Sequence, residues 1–163
     1  FSGNGTSNYF GGQLKGGDDL DGDGYDDMVV NSKEGSFIWT GGATRLSSTD
    51  TYTTDITDSS VTSGSFHYSE PEIADYNNDG TADITVSHYV NASYTGAVWT
   101  FYGPLSAGSY DVLNADSSIT GSGTYSYFGQ AIEAVDLDGN GVTDLAVGAG
   151  GDEAIYLFTS SGI

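Results

Sequence analysis

The chain has no cysteine, two prolines, one methionine and only three basic residues, Lys15, Lys33 and Arg45, in a length of 163. The missing cysteines exclude a disulfide framework and thiolate metal sites, and they leave the redox compartment open. Against 23 acidic residues the three bases give a formal charge of −20. Such a surface repels phosphate backbones and anionic membranes, so nucleic acid is excluded as a partner. No run approaches the ~18 apolar residues of a membrane span, and membrane insertion is not expected. There is no initiator methionine and no charged-then-apolar leader, so the sequence reads as a mature or excised piece about one domain long.

Catalytic signatures are also missing. The two histidines, His67 and His88, lie outside any catalytic motif, and there is no G-x-S-x-G elbow, H-E-x-x-H helix or complete phosphate-binding glycine loop. The chain is therefore expected not to be an enzyme.

What is present is acid, concentrated in three places. The stretch DLDGDGYDD from Asp19 to Asp27 recurs as DYNNDGTAD from Asp75 to Asp83 and as DLDGNGVTD from Asp136 to Asp144. All three fit D-x-[DN]-x-[DN]-G-x-x-D, a pattern expected roughly 0.01 times by chance at this composition, so the chain is internally repeated. The loops start about 60 residues apart, longer than a helical repeat and closer to a four-stranded propeller blade with generous loops.

The flanks repeat with the loops. An aromatic followed by a small residue precedes each one: Phe10-Gly11, Tyr68-Ser69 and Phe128-Gly129. An apolar triplet follows the last aspartate: Met28 to Val30, Ile84 to Val86 and Leu145 to Val147. After a further turn come the aromatic runs Phe37 to Trp39, Ala97 to Tyr102 and Ala154 to Phe158. These runs are short, β-branched and bounded by Gly, Ser and Asn, which makes them strands rather than helices. More polar outer strands are expected at DSSVTSG from Asp58 and DSSITGSG from Asp116, with an echo in the N-terminal FSGNG.

Numbered from its first aspartate, each loop offers oxygen donors at positions 1, 3 and 5: Asp19, Asp21 and Asp23; Asp75, Asn77 and Asp79; Asp136, Asp138 and Asn140. Position 6 is always glycine, which lets the chain reverse around an ion at φ > 0. Position 7 supplies a backbone carbonyl (Tyr25, Thr81, Val142), and position 9 a closing carboxylate (Asp27, Asp83, Asp144). Hard oxygens at this density suit Ca²⁺, which takes 6–8 of them in flexible geometry, and three Ca²⁺ sites are expected. The start of the pattern is shared with the EF-hand, but position 12 here is Val30, Val86 or Val147 within a strand, where an EF-hand needs glutamate. A solvated Asp/Asn/Gly turn would account for one such loop; three copies in the same register favour the metal.

An FG dipeptide, this hairpin loop, an apolar strand and a Gly-Ala turn together resemble the FG-GAP repeat of the integrin α-subunit β-propeller. The third repeat carries the resemblance best, with Phe128-Gly129 and Gly148-Ala149-Gly150. The first keeps Phe10-Gly11 but has Asn31-Ser32-Lys33 at the turn, and the second has Tyr68-Ser69 and Ser87-His88-Tyr89. The resemblance implies an all-β fold of three four-stranded blades, at about residues 1–57, 58–115 and 116–163. It also implies structural Ca²⁺ in the strand-connecting loops and an extracellular or secreted scaffold for adhesion or protein interaction.

Two other readings are a glycan-binding lectin propeller and a non-catalytic propeller module of a secreted carbohydrate-active enzyme. For the first, Tyr94, Tyr102, Tyr110, Tyr125 and Tyr127 are candidate stacking platforms. Propellers close with about 4–8 blades. Three blades are therefore expected to be part of a larger ring, or half of a six-bladed ring closed by a homodimer, with exposed edges and end faces.

Overall fold

The computed structural model describes residues 9–47, 49–60 and 70–159. His67, Tyr68-Ser69, the FSGNG segment and most of DSSVTSG lie outside them. The apolar triplets and aromatic runs form strands, as their β-branched composition dictates. The first sheet is a meander of β1 (Leu14–Asp18), β2 (Asp27–Ser32), β3 (Gly35–Trp39) and β4 (Thr54–Thr57). The second contains β5 (Glu72–Ala74), β6 (Asp83–His88) and β7 (Ala97–Phe101). Next in the chain come β8 (Gly108–Asp111) and β9 (Ser117–Thr120), and β9 completes the second sheet. The third sheet is β10 (Phe128–Val135), β11 (Asp144–Ala149) and β12 (Ala154–Phe158).

Two strands differ from expectation. The outer strand of the first sheet is Thr54–Thr57, just before Asp58, because Ile56 there enters the core and Asp58 begins a turn. β8 leaves its own sheet and pairs in parallel with β4, Thr54 opposite Gly108 through Thr57 opposite Asp111. That pairing covers an edge that would otherwise present free N–H and C=O groups. β9 falls on the DSSIT stretch as expected.

The three sheets pack in chain order through two apolar cores. Leu20, Val29, Ile38 and Ile56 of the first meet Ile73, Ile84, Val86, Trp99 and Phe101 of the second. On the opposite face of the second sheet, Tyr76 and Val98 meet Phe128, Ile132, Leu145 and Val147 of the third. Alternation along the strands sends successive residues to opposite faces, which is why β6 and β7 are buried throughout. Lys15 Nζ donates to Glu72 Oε2 at 2.9 Å across the first interface. That hydrogen bond raises the Lys15 pKa, while burial raises that of Glu72 despite its cationic partner. Ser87 donates to the carbonyl of Gly129 at 2.6 Å across the second.

Gly129 shows what the FG dipeptide does. Its φ is +86°, and a Cβ there would lie 2.9 Å from the Ser87 Cβ and 3.1 Å from the Val98 Cγ2. Phe128 fills the core while the glycine lets β10 approach the preceding sheet.

Candidate metal centres

Each acidic loop joins the first two strands of a sheet, and the three are built alike. The position 1 carboxylate accepts the N–H of the position 6 glycine: Asp19 from Gly24 at 2.7 Å, Asp75 from Gly80 at 2.9 Å and Asp136 from Gly141 at 2.9 Å. The same carboxylate and the position 3 oxygen both accept the position 5 N–H, from Asp23, Asp79 or Asn140. The position 9 carboxylate closes the loop by accepting the position 2 N–H: Asp27 from Leu20 at 2.7 Å, Asp83 from Tyr76 at 2.9 Å and Asp144 from Leu137 at 2.9 Å. It accepts a second time from the chain beyond the sheet's third strand, Asp27 from Gly41 at 2.7 Å and Asp83 from Gly103 at 2.9 Å.

This scaffold gathers positions 1, 3 and 9. Carboxylate oxygens of Asp19, Asp21 and Asp27 lie within 4.8 Å of one another, and so do those of Asp136, Asp138 and Asp144. Donors bonded to one Ca²⁺ at 2.3–2.6 Å stand at most about 5 Å apart, so this spacing fits the ion. In the second loop the middle donor is the amide oxygen of Asn77, and the same hydrogen bonds hold Asp75, Asn77 and Asp83.

Position 5 is tied to the loop by a turn of its own. One side-chain oxygen of Asp23, Asp79 and Asn140 accepts the N–H of Tyr25, Thr81 and Val142, at 2.9, 2.8 and 2.7 Å, in a local Asx turn. Sequence reasoning passed over position 4, where Gly22, Asn78 and Gly139 have φ of 82°, 59° and 76°. The signal was there, since glycine and asparagine are the residues that tolerate this conformation.

Burial and backbone N–H groups pull on these carboxylates in opposite directions. Burial raises the pKa of Asp27, partly offset by the Gly41 and Leu20 N–H groups, and burial raises that of Asp83 in the same way. Asp21 is raised by burial and by repulsion from Asp23. For Asp19, burial works upward, but the N–H donors of Gly24, Gly22 and Asp23 together hold its pKa below the usual value.

The other candidates are placed elsewhere. His88 is buried at the end of β6, its Nδ1 3.5 Å from Asp58 Oδ2, and burial lowers its pKa. Tyr110 packs edge-on to Phe101, and Tyr102 is half-buried. Tyr94, Tyr125 and Tyr127 cluster where the β6–β7 and β9–β10 connections meet, at the opposite end of β6 from its acidic loop. All three have positive φ, held by bonds such as Tyr127 N–H to Tyr94 O at 2.8 Å.

Stacked antiparallel sheets, each with an Asp-rich loop between its first two strands, define a repeat-built β-propeller module whose ring is not closed. A family model described as FG-GAP-like repeat matches residues 19–86, and one described as FG-GAP repeat matches residues 128–158. The chain belongs to the FG-GAP repeat family, of the integrin-α propeller type. Its relatives include integrin alpha-PS2 of Drosophila melanogaster, 29% identical over 87% of this chain and 12% of the integrin. Integrin alpha-PS5 of the same organism is 37% identical over 57% of this chain and 10% of the integrin. Human integrin alpha-10 is 30% identical over 53% and 8%. The chain thus spans about a tenth of the length of these curated relatives. Among the described residues no helix is long and apolar enough to cross a membrane.

Proposed function

We propose that this chain is a Ca²⁺-stabilised, non-catalytic segment of an extracellular adhesion propeller that presents its loops to a protein ligand. Its repeats, at about 1–57, 58–115 and 116–163, form one module. The observation that carries the reading is the loop geometry, with donors of positions 1, 3 and 9 held within one ion's reach by matching hydrogen bonds on an FG-GAP scaffold. Asp19, Asp21, Asp23 and Asp27, then Asp75, Asn77, Asp79 and Asp83, then Asp136, Asp138, Asn140 and Asp144 are the side-chain donors, with the carbonyls of Tyr25, Thr81 and Val142 beside them. Bound Ca²⁺ offsets the repulsion among aspartates that burial already penalises.

Glycan binding is the second reading, favoured by one observation: exposed Tyr94 and Tyr125 stack at 5.5 Å with 12° between their planes. A glycan array separates the two. The two-copy ring has no such observation behind it: on the outer face of the first sheet, Phe10 and Tyr52 pack on Phe37 and Trp39.

A ligand present at a hundred times its Kd stabilises the native state by about 2.7 kcal/mol per site. Chelation is therefore expected to lower Tm by many degrees. An unchanged Tm at low salt, with metal removal verified by elemental analysis, rejects the structural role.

A further inference from the structure

Among the described residues, one segment runs from loop to loop. Beyond β7, the N–H of Gly103 is held by Asp83, the closing carboxylate of the second loop, at 2.9 Å. One residue on, Pro104 crosses Gly22 of the first loop, its Cβ 3.4 Å from where a glycine Cβ would stand. The N–H of Leu105 then donates to Leu20 O at 2.7 Å, and Leu20 donates its own N–H to Asp27, the closing carboxylate of the first loop, at 2.7 Å. Leu20 and Leu105 are both buried in the first core. Three residues and three hydrogen bonds thus join the closing carboxylates of two loops, and the same segment continues into β8, which pairs with β4. The third loop lies outside this bridge, and its Leu137, equivalent to Leu20, is 45% exposed.

We infer that the first and second loops load with Ca²⁺ as a coupled pair through residues 103–105, while the third loads independently of the first. This rests on the calcium reading above. Closure of one loop fixes its position 9 carboxylate, that carboxylate fixes one end of the segment, and the segment presents the other loop in its closed form. The partial neutralisation of nearby charge acts in the opposite sense, since a loop that has gained a cation attracts a second one less. Short, directed hydrogen bonds in a segment anchored by buried Leu105 outweigh that effect once salt screens it.

The test is a Ca²⁺ titration of the whole chain followed at the backbone amides of Gly24, Gly80 and Gly141, one per loop, in 1 M KCl, where the Debye length is ~3 Å. Disabling the first loop with Asp19→Ala and Asp21→Ala, which removes two of its donors and keeps Asp27 and Leu20, should raise the midpoint at Gly80 about fivefold or more, the lower end of ordinary coupling, and that at Gly141 less than about twofold. In a Leu105→Ala background the effect on Gly80 should largely vanish. An equal effect with and without Leu105, or none at all, overturns the coupling while the calcium reading stands. Amides that never respond to Ca²⁺ overturn both. Should Leu105→Ala not fold, hydrogen exchange of the Leu105 amide in the parent decides: protection must rise in step with Gly24 and Gly80. Protection that precedes Ca²⁺, or follows Gly141, overturns the proposal.

Discussion

The two end faces of the stack are built from the same repeat and end in opposite states. On the first sheet the outward residues are Val30, Phe37 and Trp39, closed over by Phe10 and Tyr52. Phe10 lies 5.8 Å from Trp39, and Tyr52 lies 4.8 Å from Phe37, ring centre to ring centre. On the third sheet the outward residues are Ala131, Ala146, Ile155 and Leu157, and the last two are 73% and 60% exposed. Strand register makes Leu157 the counterpart of Ile38 and Thr100, and Ile155 that of Ser36 and Val98, all of them buried between sheets. Leu137 is likewise exposed where Leu20 and Tyr76 are buried. Pattern fixes which way a side chain points; only the presence of a neighbouring layer decides whether it is covered.

The contrast breaks most sharply at Trp39. It is buried by Phe10 and Tyr52, and its Nε1 donates to Asp50 O at 3.3 Å. Truncating a buried Trp to Ala costs about 3–5 kcal/mol. Trp39→Ala should lose stability of that order in urea titration. A loss below about 1 kcal/mol would mean that the aromatic cover contributes little and that this end is as open as the other.

The paired FG glycines sharpen the same comparison with a smaller effect. Gly11 and Gly129 have nearly equal φ, +83° and +86°, so alanine at either position pays the left-handed penalty of roughly 1–2 kcal/mol. A Cβ on Gly129 also strikes Ser87 and Val98, whereas one on Gly11 meets nothing within 4 Å. Overpacking adds about 1–3 kcal/mol, so Gly129→Ala should be the more destabilising by that margin. Equal losses would show that the dipeptide serves backbone conformation alone.

These residues also mark where the sequence was readable. The loops and their strands were legible because their signals are local: alternation, β-branching, and glycine or asparagine where φ is positive. The pairing of β8 with β4 was not, since GSYD carries no pattern that distinguishes a partner about 50 residues back from none. The hydrogen bonds from Asp23, Asp79 and Asn140 to the N–H two residues on were also hidden, because the sequence shows an oxygen but not its partner. The cover over the first sheet was hidden for another reason. Phe10 belongs to the FG signature and Tyr52 to a loop without one, and only the folded chain brings both onto Phe37 and Trp39.

The smallest expected effect lies on the open face. Because Ile155 and Leu157 bury little apolar surface in this chain, removing their side chains forfeits little transfer free energy. Substitutions at sites away from packed features usually fall within about 0.5 kcal/mol. Ile155→Thr and Leu157→Thr should therefore leave the urea midpoint nearly unchanged, and β-branched threonine keeps the strand propensity of β12. The pair gains its value by contrast with Thr100, which occupies the Leu157 position of the second sheet and is buried against the third, its hydroxyl 2.9 Å from that of Thr85. If the third face were covered by another layer in solution, the same threonines would cost what large-to-small core substitutions cost, about 2–5 kcal/mol, and sedimentation would show a change in mass. A neutral result at unchanged mass means that this face is bare in the isolated chain.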